Sequence, residues 1–459
     1  MKRIICLLTI VLLTSLLSTA ADDSFIVELS DGSASSVEAD HSLSDLEAVP
    51  EHGVYLVTSS NGATSGETLN ALTNDPRVAA VEVNSTVTTP EVNGPGKLNQ
   101  STAAILDGLS GRKVISYYGS QVASNYVNQP ATAMIGLAGA QQKLSLTGGG
   151  VVAIIDTGVD PNHVALQSVL VPGYDFTRNV AGIPSELADL PPNAAAALNQ
   201  STAAILDKRV VATLNQSTAA ILDQSTAAIL DPATLPAAFG HGTMVAGIVH
   251  LVAPTAQIMP LKAFQSDGTG NLFDIIRAIY FAVDHGANVI NMSFNLVSSS
   301  PAVMDAISYA HAHHVLTMSS AGNDGKRKLV YPAGMKNVFG IASIDNSSRC
   351  SRFSNFGSSI VDLAAPGEGV ITTYPGNNYA AGWGTSFSTP FVTGAGALLE
   401  QLDRGLSPAE ANDAFTKSKP LDPALGHGRL SLVDTLQYYM LEMSLNATEH
   451  SRSADTGDQ

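Results

Sequence analysis

The sequence predicts an α/β fold: a doubly wound, mainly parallel sheet with helices on both faces, preceded by a small α+β unit. Two observations carry this. Apolar strand-like runs at 151–156, 258–264, 289–294, 316–321 and 338–343 alternate with helical patterns at about 242–251, 272–285, 302–313, 387–401 and 408–417. Such alternation implies crossover helices and hence parallel strands. In addition, the polar residues that interrupt these runs fall at element ends. Asp156 and Asn323 end strands, while His241 and Ser386 begin helices, the places where a doubly wound sheet collects ligands.

Taken in order, residues 1–20 read as a signal peptide. Lys2 and Arg3 precede the apolar run Ile4–Leu17, and Ser18-Thr19-Ala20-Ala21 supplies a small-residue cleavage site. The run is short for a membrane span. Removing it takes away Cys6 and leaves Cys350 alone, so no internal disulfide is expected. Residues 21–90 form the small unit, with strands expected at Phe25–Leu29, Val54–Val57 and Val78–Asn84 and a helix at Thr68–Leu72. Residues 91–128 read as a linker, carrying Gly94-Pro95-Gly96 and the ten-residue segment LNQSTAAILD at 98–107. The same ten residues recur at 198–207 and 214–223, and the last eight at 224–231. These later copies lie within an insertion at about 181–237, read as a surface addition without chemistry of its own. The main domain is expected over 129–440 and a disordered tail over 441–459.

With 45% hydrophobic residues, 459 residues suffice for one large domain with additions. The net charge of −17 argues against nucleic acid or anionic membrane as a partner. It suits a secreted protein that has no membrane contact after signal removal.

Four segments carry candidate chemistry. Gly384-Thr385-Ser386-Phe387-Ser388-Thr389-Pro390 sets a Ser at a helix start, where backbone N–H groups are unpaired. A Ser hydroxyl needs an adjacent base to be a nucleophile. Gly240-His241-Gly242 offers the base and Val151–Gly158, ending in Asp156-Thr157-Gly158, an acid to orient it. Ser319–Gly325 offers a side-chain amide, Asn323, for an oxyanion. Taken singly, each has a plainer reading: a capped turn, a helix-start His or an N-cap Ser. Asp156-Thr157-Gly158 also resembles half of an aspartic-protease site. The other Asp-Thr-Gly, at Asp455–Gly457, follows no strand, which leaves no partner for a shared proton.

The set in the order Asp156, His241, Asn323, Ser386 closely resembles the subtilisin-like serine proteases, over about 128–436; this order is the documented one for subtilisin itself. The resemblance implies a subtilisin-like fold, a triad of Asp156, His241 and Ser386, and Asn323 as oxyanion donor. It implies that the 21–90 region is an inhibitory propeptide, so that the partners are polypeptide substrates and the chain's own propeptide. By the same resemblance Ser293, Phe294 and Asn295 form one wall of the specificity pocket. Ser320, Ala321 and Gly322 form the other, and Val330 lies at its base. Departures from the family pattern are informative. Asn295 stands where Gly is usual, Val330 where a smaller residue is usual, and Phe387 where Met is common. Val164-Ala165 lacks the Asp of the family's strong calcium site, and the helix at 242–251 runs almost directly into Ala253-Pro254, omitting that site's loop. No cofactor and no metal are therefore expected. His311, His313 and His314 end a helix, where His is electrostatically favoured, with no carboxylate or Cys ligand nearby. Two function classes stay open: a secreted serine endopeptidase made as an inactive precursor, and a binding protein on the same fold with catalysis lost. Four chemically intact positions favour the first.

Overall fold

Val151–Ile155 has no polar side chain, so it suits a strand covered on both faces. In the computed structural model, which describes residues 24–30, 34–89, 113–190, 220–221, 236 and 238–455, this segment is a central strand of an eight-stranded sheet. The chain divides into two compact units between Asn84 and Ser85.

The first unit contains β1 (Ser24–Leu29), α1 (Ala34–His41), β2 (Leu43–Val49), β3 (Val54–Ser59), α2 (Ser65–Thr73) and β4 (Val78–Val83). Its strands form an antiparallel sheet of order β2-β3-β1-β4 around Phe25, Val27, Val57 and Leu72. α2 opens on a reciprocal cap between Thr64 and Glu67. α1 and β2 have no clear sequence signal, since α1 buries only Val37.

The second unit begins with β5 (Thr86–Thr88), β6 (Val114–Tyr117), β7 (Ser120–Ala123), α3 (Ser124–Val127) and α4 (Pro130–Ile135). There follow β8 (Val151–Asp156), β9 (Gly173–Asp175), β10 (Val180–Gly182), β11 (Ala220–Ile221), α5 (His241–Val252), β12 (Gln257–Lys262) and β13 (Thr269–Asn271). Next come α6 (Leu272–Asp284), β14 (Val289–Met292), α7 (Pro301–Ala312), β15 (Leu316–Ser320) and β16 (Phe339–Ile344). β17 (Leu363–Pro366), β18 (Glu368–Tyr374), β19 (Asn378–Trp383), α8 (Thr385–Leu402), α9 (Pro408–Phe415) and α10 (Leu432–Asp455) complete it.

The main sheet has the order β10-β9-β12-β8-β14-β15-β16-β17, parallel except for the β9–β10 edge. From β8 the chain builds outward on one side through β9 and β12, then on the other from β14, so the winding reverses beside β8. Val152 and Ile154 point into a core shared with Met244 and Val245 of α5 and Phe391 and Val392 of α8. Ala153 and Ile155 face the opposite side, where α6 packs. α5 is buried along its whole length, with His241, Thr243 and His250 the polar residues among its apolar ones. Each aliphatic side chain so buried contributes about 1.5–3 kcal/mol.

Two boundaries and one strand pair differ from expectation. The first unit ends at Asn84 rather than 90, because β5 pairs with β13 of the second. The tail expected to be disordered from 441 continues α10 to Asp455, with no Gly or Pro to stop it. The hairpin β18–β19, in a separate sheet with β11, is additional to the strands expected. The signal peptide and three of the repeat copies lie outside the described residues. Of the copy at 214–223, Ala220–Ile221 pairs antiparallel with Ala380–Ala381 of β19.

Candidate active site

α5 and α8 both start behind a glycine, Gly240 and Gly384, and neither has a side-chain cap of its own. Their first-turn amides must be met from elsewhere. Thr157 Oγ1, just beyond β8, accepts from Gly242 N at 3.0 Å. Asn323 Oδ1, just beyond β15, accepts from Thr385 N and Thr385 Oγ1, each at 2.9 Å. Two helix starts are thereby fastened to two strand ends. Gly242 permits the first contact, since a Cβ there would sit 2.1 Å from Gly158 O.

The fastening at α5 places His241 Nδ1 2.7 Å from Asp156 Oδ1, with both side chains buried. The same Asp156 oxygen accepts from Thr157 N at 2.8 Å. A carboxylate so placed favours a proton on Nδ1 and makes Nε2 the basic nitrogen. The His241 ring meets Phe387 edge to face, with centroids 5.6 Å apart, next to Ser386.

Ser386 is held by a consequence of Pro390. A proline four residues on has no N–H to give, so the Ser386 carbonyl lacks its helical donor. Ser293 Oγ supplies one at 3.0 Å, and Ser386 Oγ donates in return to Ser293 O at 3.3 Å. Ser293 Oγ is itself set by Asn291 Nδ2 at 2.9 Å. Because Thr385 occupies the oxygen of Asn323, the amide nitrogen is that side chain's remaining polar end. The Asp156–His241 pair meets Phe387 and Asn323 meets Thr385, so these candidate positions, from separate segments, lie around the start of α8 on either side of Ser386 in sequence.

Ser293, Phe294 and Asn295 follow β14, while Ser320 ends β15 and Ala321 and Gly322 follow it. With its amide oriented to face acceptors, Asn295 donates to Phe294 O at 2.9 Å and to Ser320 O at 2.7 Å. It therefore bridges the two strand ends. Val330 is buried, and its neighbour Tyr331 pairs with Leu296.

Alongside these residues runs Ser85–Thr89. β5 is antiparallel to β13, extended by Leu272 N to Ser85 O at 3.0 Å and Thr89 N to Gly268 O at 2.9 Å. On its other side Thr88 bridges to Asn295. The segment is a middle strand between β13 and Asn295, with Val87 and Thr89 buried.

Several supporting residues escape sequence reading. Lys262, wholly buried, donates to Thr157 O at 2.9 Å, Phe264 O at 2.6 Å and Asp189 Oδ2 at 2.8 Å. Its only sequence signal is a lysine ending an apolar strand. Glu186, also wholly buried, accepts from Thr243 Oγ1 at 2.5 Å, and that hydroxyl accepts from Asp160 N at 2.8 Å. Burial pushes the Glu186 carboxyl up to about 8, against the opposing effect of the Thr243 bond. At the turn where the family carries a calcium-binding Asp, Ala165 is buried and Val164 N donates to Asn377 Oδ1 at 3.1 Å. Asp160 in the same turn accepts from Asn162 N at 2.9 Å and Gly376 N at 2.8 Å.

A doubly wound sheet that brings a buried Asp–His pair to a helix-start Ser and a strand-end Asn defines the class of the subtilases. The chain belongs to that class: the model of the Subtilase family matches residues 147–438. Thermitase of Thermoactinomyces vulgaris is 30% identical over 302 residues, covering 63% of this chain and 89% of its own length. The thermophilic serine proteinase of Bacillus sp. (strain AK1) is 31% identical over 263 residues, 55% of this chain. The chain spans about half, 52%, of that relative's length. Among solved structures, fervidolysin from Fervidobacterium pennivorans, a keratinolytic enzyme related to subtilisin, superposes with a TM-score of 0.65. At 21% identity, covering 90% of this chain and 61% of fervidolysin, that is a likeness of fold.

Proposed function

We propose that this subtilase is a secreted serine endopeptidase, made as a precursor that removes its own N-terminal unit. The observation that carries this reading is the buried 2.7 Å contact of His241 with Asp156, beside a Ser386 fastened to Ser293. Ser386 Oγ attacks the peptide carbonyl while His241 Nε2 takes its proton. Asn323 donates to the oxygen that becomes an oxyanion. His241 then gives the proton to the leaving amine as the C–N bond breaks, and water repeats the sequence to free the acyl group. Asp156 keeps the imidazole in the tautomer this requires. Substrates are polypeptides whose backbone pairs with Ser293–Asn295 and whose side chain before the cut bond enters the pocket walled by Ser293–Asn295 and Ser320–Gly322. The bulk of Asn295 and Val330 favours small or medium apolar residues before the cut bond.

The strand formed by Ser85–Thr89 supports a self-processing reading, because it lies beside Asn295 as an extended substrate would. Cleavage is expected before Thr89 or within 91–128. The Thr89–Pro90 bond is disfavoured by the proline ring. The part of this range beyond Thr89 and before Lys113 is outside the described residues.

Two measurements test the reading. A fluorophosphonate probe should label Ser386, and Ser386→Ala should abolish labelling and lower turnover by about 10⁶-fold, a value that belongs to subtilisin itself. N-terminal sequencing of both proteins from a protease-deficient host should find the mutant uncut. A mutant cut at the wild-type position would assign processing to another enzyme.

A further inference from the structure

The Ser85–Thr89 strand is held by two different kinds of contact. Backbone pairing on both flanks, to β13 and to Asn295, is indifferent to side chains and sets register. Selectivity must come from the side chains that alternate inward. Those are Val87 and Thr89, at 5% and 1% exposure, while Thr86 faces out. Val87 is apolar and loses nothing by burial. Thr89 has almost the shape of valine, but its Oγ1 is buried with no hydrogen-bond partner among the described residues. A hydroxyl taken out of water and left unpaired is costly, and replacing it by a methyl group of the same shape removes the cost.

We propose that the groove reads two inward apolar side chains, and that Thr89 is the determinant that keeps the resident strand loosely held. This rests on the reading of Ser85–Thr89 as an occupant of the substrate groove. The groove then favours extended polypeptides with an aliphatic residue at the Val87 position and valine two residues later. Substrates of that kind outcompete the chain's own strand, which differs from them at the second position by one hydroxyl. Affinity at this position changes by about 5- to 150-fold between threonine and valine.

The test uses the mature secreted enzyme and blocked pentapeptides as competitors of a fluorogenic peptide substrate. One peptide is Ser-Thr-Val-Thr-Thr, the sequence of 85–89. The second carries the T89V change, and the third carries T86V as a control for added apolar surface. The T89V peptide should inhibit at a concentration about 5- to 150-fold lower than the parent, and the T86V peptide within about 2-fold of it. Equal inhibition by the parent and T89V peptides, or tighter binding of the parent, overturns the proposal and leaves the groove reading intact. If no peptide inhibits an enzyme that the fluorophosphonate probe still labels, the strand does not mark the groove, and both readings fall.

Discussion

Replacing Glu186 by Gln separates the cost of a buried charge from the value of a buried hydrogen bond. Glu186 is wholly buried, and one of its oxygens, Oε2, has no partner among the described residues. Its other oxygen accepts from Thr243, which a glutamine carbonyl can also do. Burial raises the carboxyl from an ordinary 4.5 to about 8. A carboxyl raised on folding holds a proton that the unfolded chain has already lost. Its contribution to stability is therefore complete below about pH 4.5 and is lost as pH rises through about 8. At about 1.4 kcal/mol per pH unit, the loss has a ceiling of about 5 kcal/mol. Glutamine carries no such penalty. Thermal midpoints should be compared from pH 5 to pH 9, with Ser386→Ala in both proteins to prevent self-digestion. The two should melt within a few degrees of each other at pH 5. At pH 9 the Glu186→Gln protein should melt higher, by roughly 5–8 °C at the ceiling. A difference that stays constant across the range, or a less stable Gln protein at pH 9, would show that the carboxylate is ionised and well compensated throughout.

Three further outcomes are expected. Asn323→Leu should lower kcat by about 10²–10³ with little change in KM, a magnitude known for subtilisin's own oxyanion Asn; an effect confined to KM would remove Asn323 from that role. Val330→Gly should broaden the residues accepted before the cut bond in a peptide-library profile, whereas a wild-type preference for Phe, Tyr or Arg would contradict the assigned pocket. Turnover should fall in acid as His241 becomes protonated and can no longer act as a base, and a protease most active near about pH 4 would point instead to a carboxylate mechanism.

The four candidate positions were legible because each stands where an apolar run meets glycine or a polar turn. Their mutual fastening was partly legible as well. Thr157 lies inside the Asp156-Thr157-Gly158 turn, and Pro390 stands four residues after Ser386, at the spacing that frees a helical carbonyl. Lys262 and Glu186 were not, because their partners Asp189 and Thr243 are distant in sequence and meet them only in the folded core. The β18–β19 hairpin was hidden because burial on both faces erases the alternation that marks a strand. β13 is a three-residue run in which Gly270 and Asn271 disfavour a strand and outweigh Thr269. It becomes a strand through its pairing with β5. α10 shows the converse: a polar helix with no stop signal simply continues.

The pairing of β5 with β13 occurs within one covalent chain, so the strand's local concentration is set by its tether and not by the solution. Pairing within one chain can keep even a weakly bound strand in place. A cut on its C-terminal side makes the same contacts bimolecular without altering one of them. Occupancy then falls with dilution alone. If the chain is processed as proposed, dilution after the cut favours an open groove and confinement an occupied one.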